Sequence, residues 1–240
     1  MPVISWLLDH AADVAATLWL FLCWGGYTVF ARKRAKNTFC IASVLHSYRQ
    51  QWMVSMLRRS NRVADASLLS NLERNASFLA STAILVIAGL VTTLASVEKV
   101  HAMLVAMPIS QSHLSPLQLQ FKITLLLLIY IYSFFTFTWA MRQYGFCAVL
   151  LGAAPLYDTP LATDKKGDDY ARYSAKIIDL AGHSYNYGLR AYYFSLAVLA
   201  WLVNTWLFAF AVALVVMVLY SREFHSRTLK AMIRADALNG

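Results

Sequence analysis

The sequence predicts an all-α, polytopic membrane protein with four transmembrane helices plus cytoplasmic amphipathic helices, and three observations carry that expectation. Hydrophobic residues make up 59% of the 240 and charged residues only 14%, a balance that soluble domains do not show. Four apolar runs reach the roughly 20 residues that a helix needs to cross a hydrocarbon core. The basic residues, which give a formal charge of +9, cluster beside those runs. Orientation in the bilayer and contact with anionic lipid account for them there, so nucleic acid is discounted as a partner. The chain reads as a single helical membrane domain over 1–240, with spans at about 11–30, 77–97, 119–141 and 192–220 and cytoplasmic segments at 31–76 and 142–191.

The first span, Ala11 to Phe30, follows the acids Asp9 and Asp13 and precedes Arg32, Lys33, Arg34 and Lys36. A signal peptide has the reverse order, so this run is expected to be an uncleaved anchor with the N-terminus outside. Trp19, Trp24 and Tyr27 suit an aromatic belt or a helix contact, and Gly25-Gly26 permits a kink or close packing. Residues 37–62 are too polar to span, yet Ile41, Val44, Leu45, Tyr48, Trp52 and Met56 recur at helical spacing. They predict an amphipathic helix that lies on the membrane surface or packs on the bundle, or builds an interface between subunits.

The second span carries the most pointed pattern. Asn61 to Val97 contains no proline and one glycine, and Ser77 to Val97 carries no charge; at helical rise those uncharged residues cover roughly 31 Å. Steps of about 100° per residue place Ala66, Ser70, Glu73, Ser77, Ser81, Ala88, Thr92 and Ala95 in one stripe, with Arg74 at its edge. A small, hydroxylated stripe serves close helix packing or lines a hydrated path. Ser70, Glu73, Arg74, Ser77, Ser81, Ala88 and Thr92 are therefore the candidate pore-lining or helix-interface residues.

Glu98 to Leu117 reads as an outside loop broken by Pro108 and Pro116, in which His101 and His113 are solvated rather than metal ligands. The third span runs from about Leu119 to Met141, with Lys122 close enough to its start to snorkel outward. Tyr144 to Tyr157 is apolar but too short to cross, and predicts a half-helix or surface helix ended by Pro155. The polar stretch from Asp158 to Tyr173 predicts a mobile loop. An amphipathic piece, Tyr170 to Leu180, leads to the fourth span at Tyr192 to Tyr220, about 43 Å long at helical rise, with Asn204 as its weak point.

A count of Lys and Arg supports the start-outside arrangement: fifteen lie inside and six outside. Four of those six, Arg222, Arg227, Lys230 and Arg234, form the tail. A helical hairpin within the fourth run would bring them inside. A single crossing is expected instead, because half of that run is too short to span twice, and it leaves the C-terminus outside.

The stretches NRVADASLLSNLERNASFLASTAILVIAGL, FTFTWAMRQYGFCAVLLGAAP, GLRAYYFSLAVLAWLVN and VLYSREFHS together resemble a bacterial and plant family of multi-pass membrane proteins. It is catalogued as a domain of unknown function, family five hundred and ninety-nine. The resemblance implies a helical protein of the bacterial inner (plasma) membrane and brings no catalytic or binding residue with it.

The residues themselves argue against an enzyme. GxSxG, HExxH, phosphate-loop and GxGxxG patterns are absent, and no histidine lies inside a predicted span, so neither a catalytic centre, a metal nor a cofactor is expected. Cys23, Cys40 and Cys147 are widely spaced and suggest no disulfide framework. Two polar clusters remain at the cytoplasmic boundary: Asn61, Arg62, Asp65, Glu73, Arg74 and Asn75 before the second span, and His183, Asn186 and Arg190 before the fourth. Glu73 or Asp65 is expected to pair with Arg190, either as a tie between helices or as a charged mouth. The functional expectation is a homo-oligomeric ion channel or small-solute permeation pathway lined by the second span. The alternative is a non-conducting scaffold or accessory subunit that docks a foreign membrane protein through aromatic faces such as Trp201 and Trp206.

Overall fold

The computed structural model describes residues 11–35, 37–106, 115–159 and 164–239. Among them the chain is all helical: α1 (Ala11–Arg34), α2 (Ile41–Leu57), α3 (Val63–Ala95), α4 (Val97–Val105), α5 (Pro116–Ala153), α6 (Lys165–Trp201), α7 (Thr205–His225) and α8 (Arg227–Asn239). Four helical stretches are long and apolar enough to cross a membrane: Ala11–Arg34, Val63–Ala95, Pro116–Ala153 and Thr205–Ala237. The helices distribute into two compact units. One holds residues 1–37, 84–132 and 190–222; the other holds 38–83, 133–189 and 223–240.

In the first unit, Leu20 of α1, Leu126 and Ile129 of α5, Phe194, Val198 and Trp201 of α6, and Phe208 and Val212 of α7 form one buried cluster. Small residues on α6, Ala191 and Ala197, are fully buried, which lets neighbouring backbones come close. A second small cluster joins Leu119 and Ile123 to Val97, Val100 and Leu104 of α4. Those contacts explain why part of the expected outside loop is helical. Pro108 and His113 of that loop lie outside the described residues.

The largest departure from the sequence reading is in the fourth run. It does not cross once: α6 ends at Trp201, the chain turns over Leu202 to Asn204, and α7 starts back at Thr205. Asn204 Oδ1 accepts the Trp206 amide at 2.7 Å, a local bond that competes with helix and starts the new one. Trp201 stacks on Phe208 with centroids 4.6 Å apart, and Arg222 donates to the Tyr193 hydroxyl at 3.0 Å, so the two arms run antiparallel. The length argument failed because α6 does not begin at residue 192. It is one 37-residue helix from Lys165, whose early turns bury Ala171, Ser174, Ala175, Ile178 and Asp179 and leave Lys165, Lys166, Asp168, Arg172 and Lys176 exposed.

The second unit packs α2 and parts of α3, α5 and α6 around Met53, Met56, Leu57, Leu69, Ala76, Tyr144, Cys147, Ala175 and Ile178. α2 is therefore a bundle-packing helix. Its start is closed by a reciprocal cap in which the Cys40 amide donates to Ser43 Oγ at 2.9 Å and the Ser43 amide donates to Cys40 Sγ at 3.4 Å. The expected half-helix at 144–157 is the unbroken end of α5, since nothing before Pro155 interrupts helical backbone. Gly188 is required where it stands: a Cβ there would lie 2.6 Å from the buried ring of Phe137.

The tail returns to this same unit. Glu223 accepts the Ala42 amide at 3.1 Å, Tyr48 donates to the Met232 carbonyl at 3.2 Å, and Gln51 donates to Asp236 at 3.4 Å. The expectation that the C-terminus lies across the membrane from the 31–76 segment is thus corrected, because the hairpin brings α8 back onto α2. Grouping the tail with the two segments expected to be cytoplasmic collects nineteen of the 21 Lys and Arg and leaves only Lys99 and Lys122, a stronger asymmetry than the fifteen and six of a single crossing. Single cysteines at Gln50 and Asp236, in a background without the three native thiols, should be labelled by an impermeant maleimide from the same face of a sealed vesicle. Labelling from opposite faces contradicts the hairpin.

Candidate functional site

Three groups of polar side chains are built into these helices. The first is the α3 stripe. Ser70, Arg74, Ser81, Ala88 and Thr92 are exposed and Glu73 and Ser77 half-buried, while Asp65, Leu69, Ala76, Ala80 and Ala83 are buried. The stripe lies about a third of a turn round from that buried face. Among the described residues no helix covers Ser70, Arg74, Ser81, Ala88 or Thr92. Along the same surface Thr92 donates to the Ala88 carbonyl at 3.0 Å, Thr93 to Gly89 at 2.8 Å and Ser96 to Thr92 at 3.0 Å. These hydroxyl donors are satisfied within the helix, and the face they leave outward is small. Phe78 and Leu85, 71% and 74% exposed, rise along one margin.

The second group lies in the unit that contains α2. Asp65, fully buried, accepts the Trp52 indole at 2.7 Å and pairs with Arg59. The expected link from Asp65 to Arg190 is not formed, since Trp52 and Arg59 reach the carboxylate first; Arg190 sits 5.3 Å over the ring of Tyr27. Arg62 donates to the Ala154 carbonyl at 3.0 Å and to the Pro155 carbonyl, answering acceptors that the end of α5 leaves open. Asn61 caps α3 by accepting the Val63 amide at 2.9 Å. Asn75, His183 and Asn186 are exposed. Burial pushes the Tyr170 phenol up, with the Arg62 charge drawing it back, while its hydroxyl donates to the Leu150 carbonyl at 2.6 Å.

An acid that the sequence reading passed over completes this group. Asp179, 2% exposed, accepts Arg49 at 2.7 Å on one oxygen and is hydrogen-bonded to His46 Nδ1 on the other. Gly182, one turn later on α6, leaves room for the guanidinium: a Cβ there would lie 2.7 Å from Arg49 Nη2. The signal was an acid on the alanine-rich face made by Ala171, Ala175, Ile178 and Ala181, all buried.

The third group was also missed and lies in the other unit. Lys122 does not snorkel outward. It is 1% exposed, donates to the Trp201 carbonyl at 3.2 Å, lies 5.1 Å over the Trp201 ring and 4.0 Å from Asp13. Gln118 donates to the other Asp13 oxygen at 2.9 Å. The reason is geometric: the hairpin presents the open carbonyls at the end of α6 within reach of the ammonium, and a cation is favoured at a helix C-terminus. Cavities of about 540 and 300 Å³ flank the pair, both lined by Asp13 and Gln118. Asp13 and Lys122 are charges near the ends of apolar runs, the signal by which they could have been found.

A family model described as "Protein of unknown function, DUF599" matches residues 15–228. The chain belongs to this family. No curated protein and no solved structure matches it. The DUF599 match takes in the whole α3 stripe, both charge clusters of the α2 unit, and Gln118 and Lys122, while Asp13 lies two residues before it. The description attaches no chemistry to any of them.

Asp13→Ala should destabilise the protein by about 3 kcal/mol, because it leaves a buried ammonium without its carboxylate. The double variant Asp13→Leu/Lys122→Met, which removes both charges, should recover most of that loss in thermal melts in detergent. Equal losses in the single and double variants contradict the pairing.

Proposed function

We propose that this protein is a non-enzymatic, homo-oligomeric permeation pathway for a small ion or solute, with α3 of each copy turned toward a shared axis. The membrane would be a bacterial inner membrane, the N-terminus outside, and Glu73 and Arg74 at the inner mouth. The observation that supports the reading is the exposure of the Ser70, Ser81, Ala88 and Thr92 face, about a third of a turn from the buried face made by Asp65, Leu69, Ala76, Ala80 and Ala83. A lipid-facing helix has no use for that composition, whereas a helix that meets its own symmetry mates gains close approach from it. Hydroxyls that bond back to the helix still offer lone pairs to a passing cation.

The competing reading is a scaffold that docks a foreign membrane protein. Trp201 is unavailable for that role, being 0% exposed and stacked on Phe208. Trp206 and Phe210 on α7, 84% and 66% exposed, support it instead.

A cysteine at Ser81 should cross-link copies of the chain in proteoliposomes, and Ser81→Trp should block ion flux through reconstituted protein that conducts in its native form. Unchanged flux in the Ser81→Trp protein rejects α3 as the lining. A stoichiometric foreign partner without any homo-oligomer in mild detergent favours the scaffold.

A further inference from the structure

Asp65 is fully buried, and its two oxygens stand in different surroundings. Oδ1 accepts both the Trp52 indole at 2.7 Å and the Arg59 guanidinium. Oδ2 is also buried, and among the described residues it has no hydrogen-bond partner. A buried acceptor left without a donor is costly, and native folds answer nearly all of them. With Trp52 and Arg59 both spent on Oδ1, the donor for Oδ2 has to come from outside the described side chains.

Space for it lies at the same residue. Asp65 lines a cavity of about 10 Å³, and one water needs roughly 10–15 Å³. Four helices of one compact unit wall it: Met56 of α2, Asp65 and Leu69 of α3, Cys147 of α5, and Ser174 and Ile178 of α6. Walls of hydrocarbon and sulfur alone would keep so small a cavity dry. Two polar side chains make the difference, the Asp65 carboxylate and the Ser174 hydroxyl, which is 4% exposed and can both donate and accept. Size admits nothing larger than a water or a bare cation. Charge decides between them: Arg59 already pairs with Asp65, so a cation in the cavity would be a buried charge without its own counter-ion. We propose that this cavity binds one water, which donates to Asp65 Oδ2, accepts from the Ser174 hydroxyl and so joins α3 to α6. The site lies on the buried face of α3 and does not depend on the permeation reading, which uses the exposed one.

An experimental map of the full-length protein in lipid, at a resolution that shows waters, should place a peak within hydrogen-bond distance of both Asp65 Oδ2 and Ser174 Oγ. Thermal melts in detergent test the same site without a map. Ser174→Val fills the cavity with hydrocarbon and displaces the water, so it should lower the melting temperature by roughly 2–6 °C. In an Asp65→Ala/Arg59→Met background, which has no carboxylate to strand, the same substitution should leave the melting temperature unchanged or raise it. A resolved cavity without such a peak overturns the proposal. So does an anomalous thallium signal in it, which assigns the site to a monovalent cation. An equal fall in both backgrounds, or a rise in the native one, overturns it too, because Ser174→Val then reports packing alone.

Discussion

The unit that holds α1 and most of α7 depends on a single ammonium group. Lys122 caps the last turn of α6 through the Trp201 carbonyl and at the same time approaches Asp13 of α1. Three helices are therefore fixed at one point, and that point is where α6 must stop so that α7 can turn back. An ion pair at 4.0 Å does little to offset the desolvation of two charges by itself. Its contacts with a helix end, an aromatic face and Gln118 make the burial tolerable, while among the described residues the Trp201 indole N–H stays buried without a hydrogen-bond partner.

Much of the architecture was legible in the amino-acid order. Four runs of membrane length, the helix at 41–57, the stop at Pro155 and the break at Asn204 all follow from hydropathy, periodicity and backbone chemistry. The hairpin was weighed and set aside because the fourth run was measured alone. Helical length can also come from residues such as Ala171, Ala175 and Ala181, which are packed against protein and need no apolar window to be buried. The positive-inside count already pointed to the better answer, and the tail was its one discordant term.

The site residues were legible in a different measure. The α3 stripe was read from angular periodicity, which holds as long as the helix is unbroken, and α3 is continuous over 33 residues. The charge pairings were not, since a pairing depends on which side chain arrives first. Asp65 meets Trp52 and Arg59 across a short connection rather than Arg190, and Asp179 draws Arg49 and His46 from 130 or more residues away in the chain. A linear pattern carries no distance of that kind.

The antiparallel arms of α6 and α7 also bear on how the protein is made. α6 is not among the four stretches apolar enough to cross unaided, and its Lys165–Trp201 length includes Asp168, Asp169, Lys176, Asp179 and Arg190. A segment of that kind does not partition from a translocon into lipid as an independent unit. Its apolar end instead gains a partner from α7, through the stacking of Trp201 on Phe208. The two arms are thus complementary halves, the more polar helix burying its apolar end against a neighbour with enough hydrocarbon surface for both, and α8 continues from that neighbour onto α2.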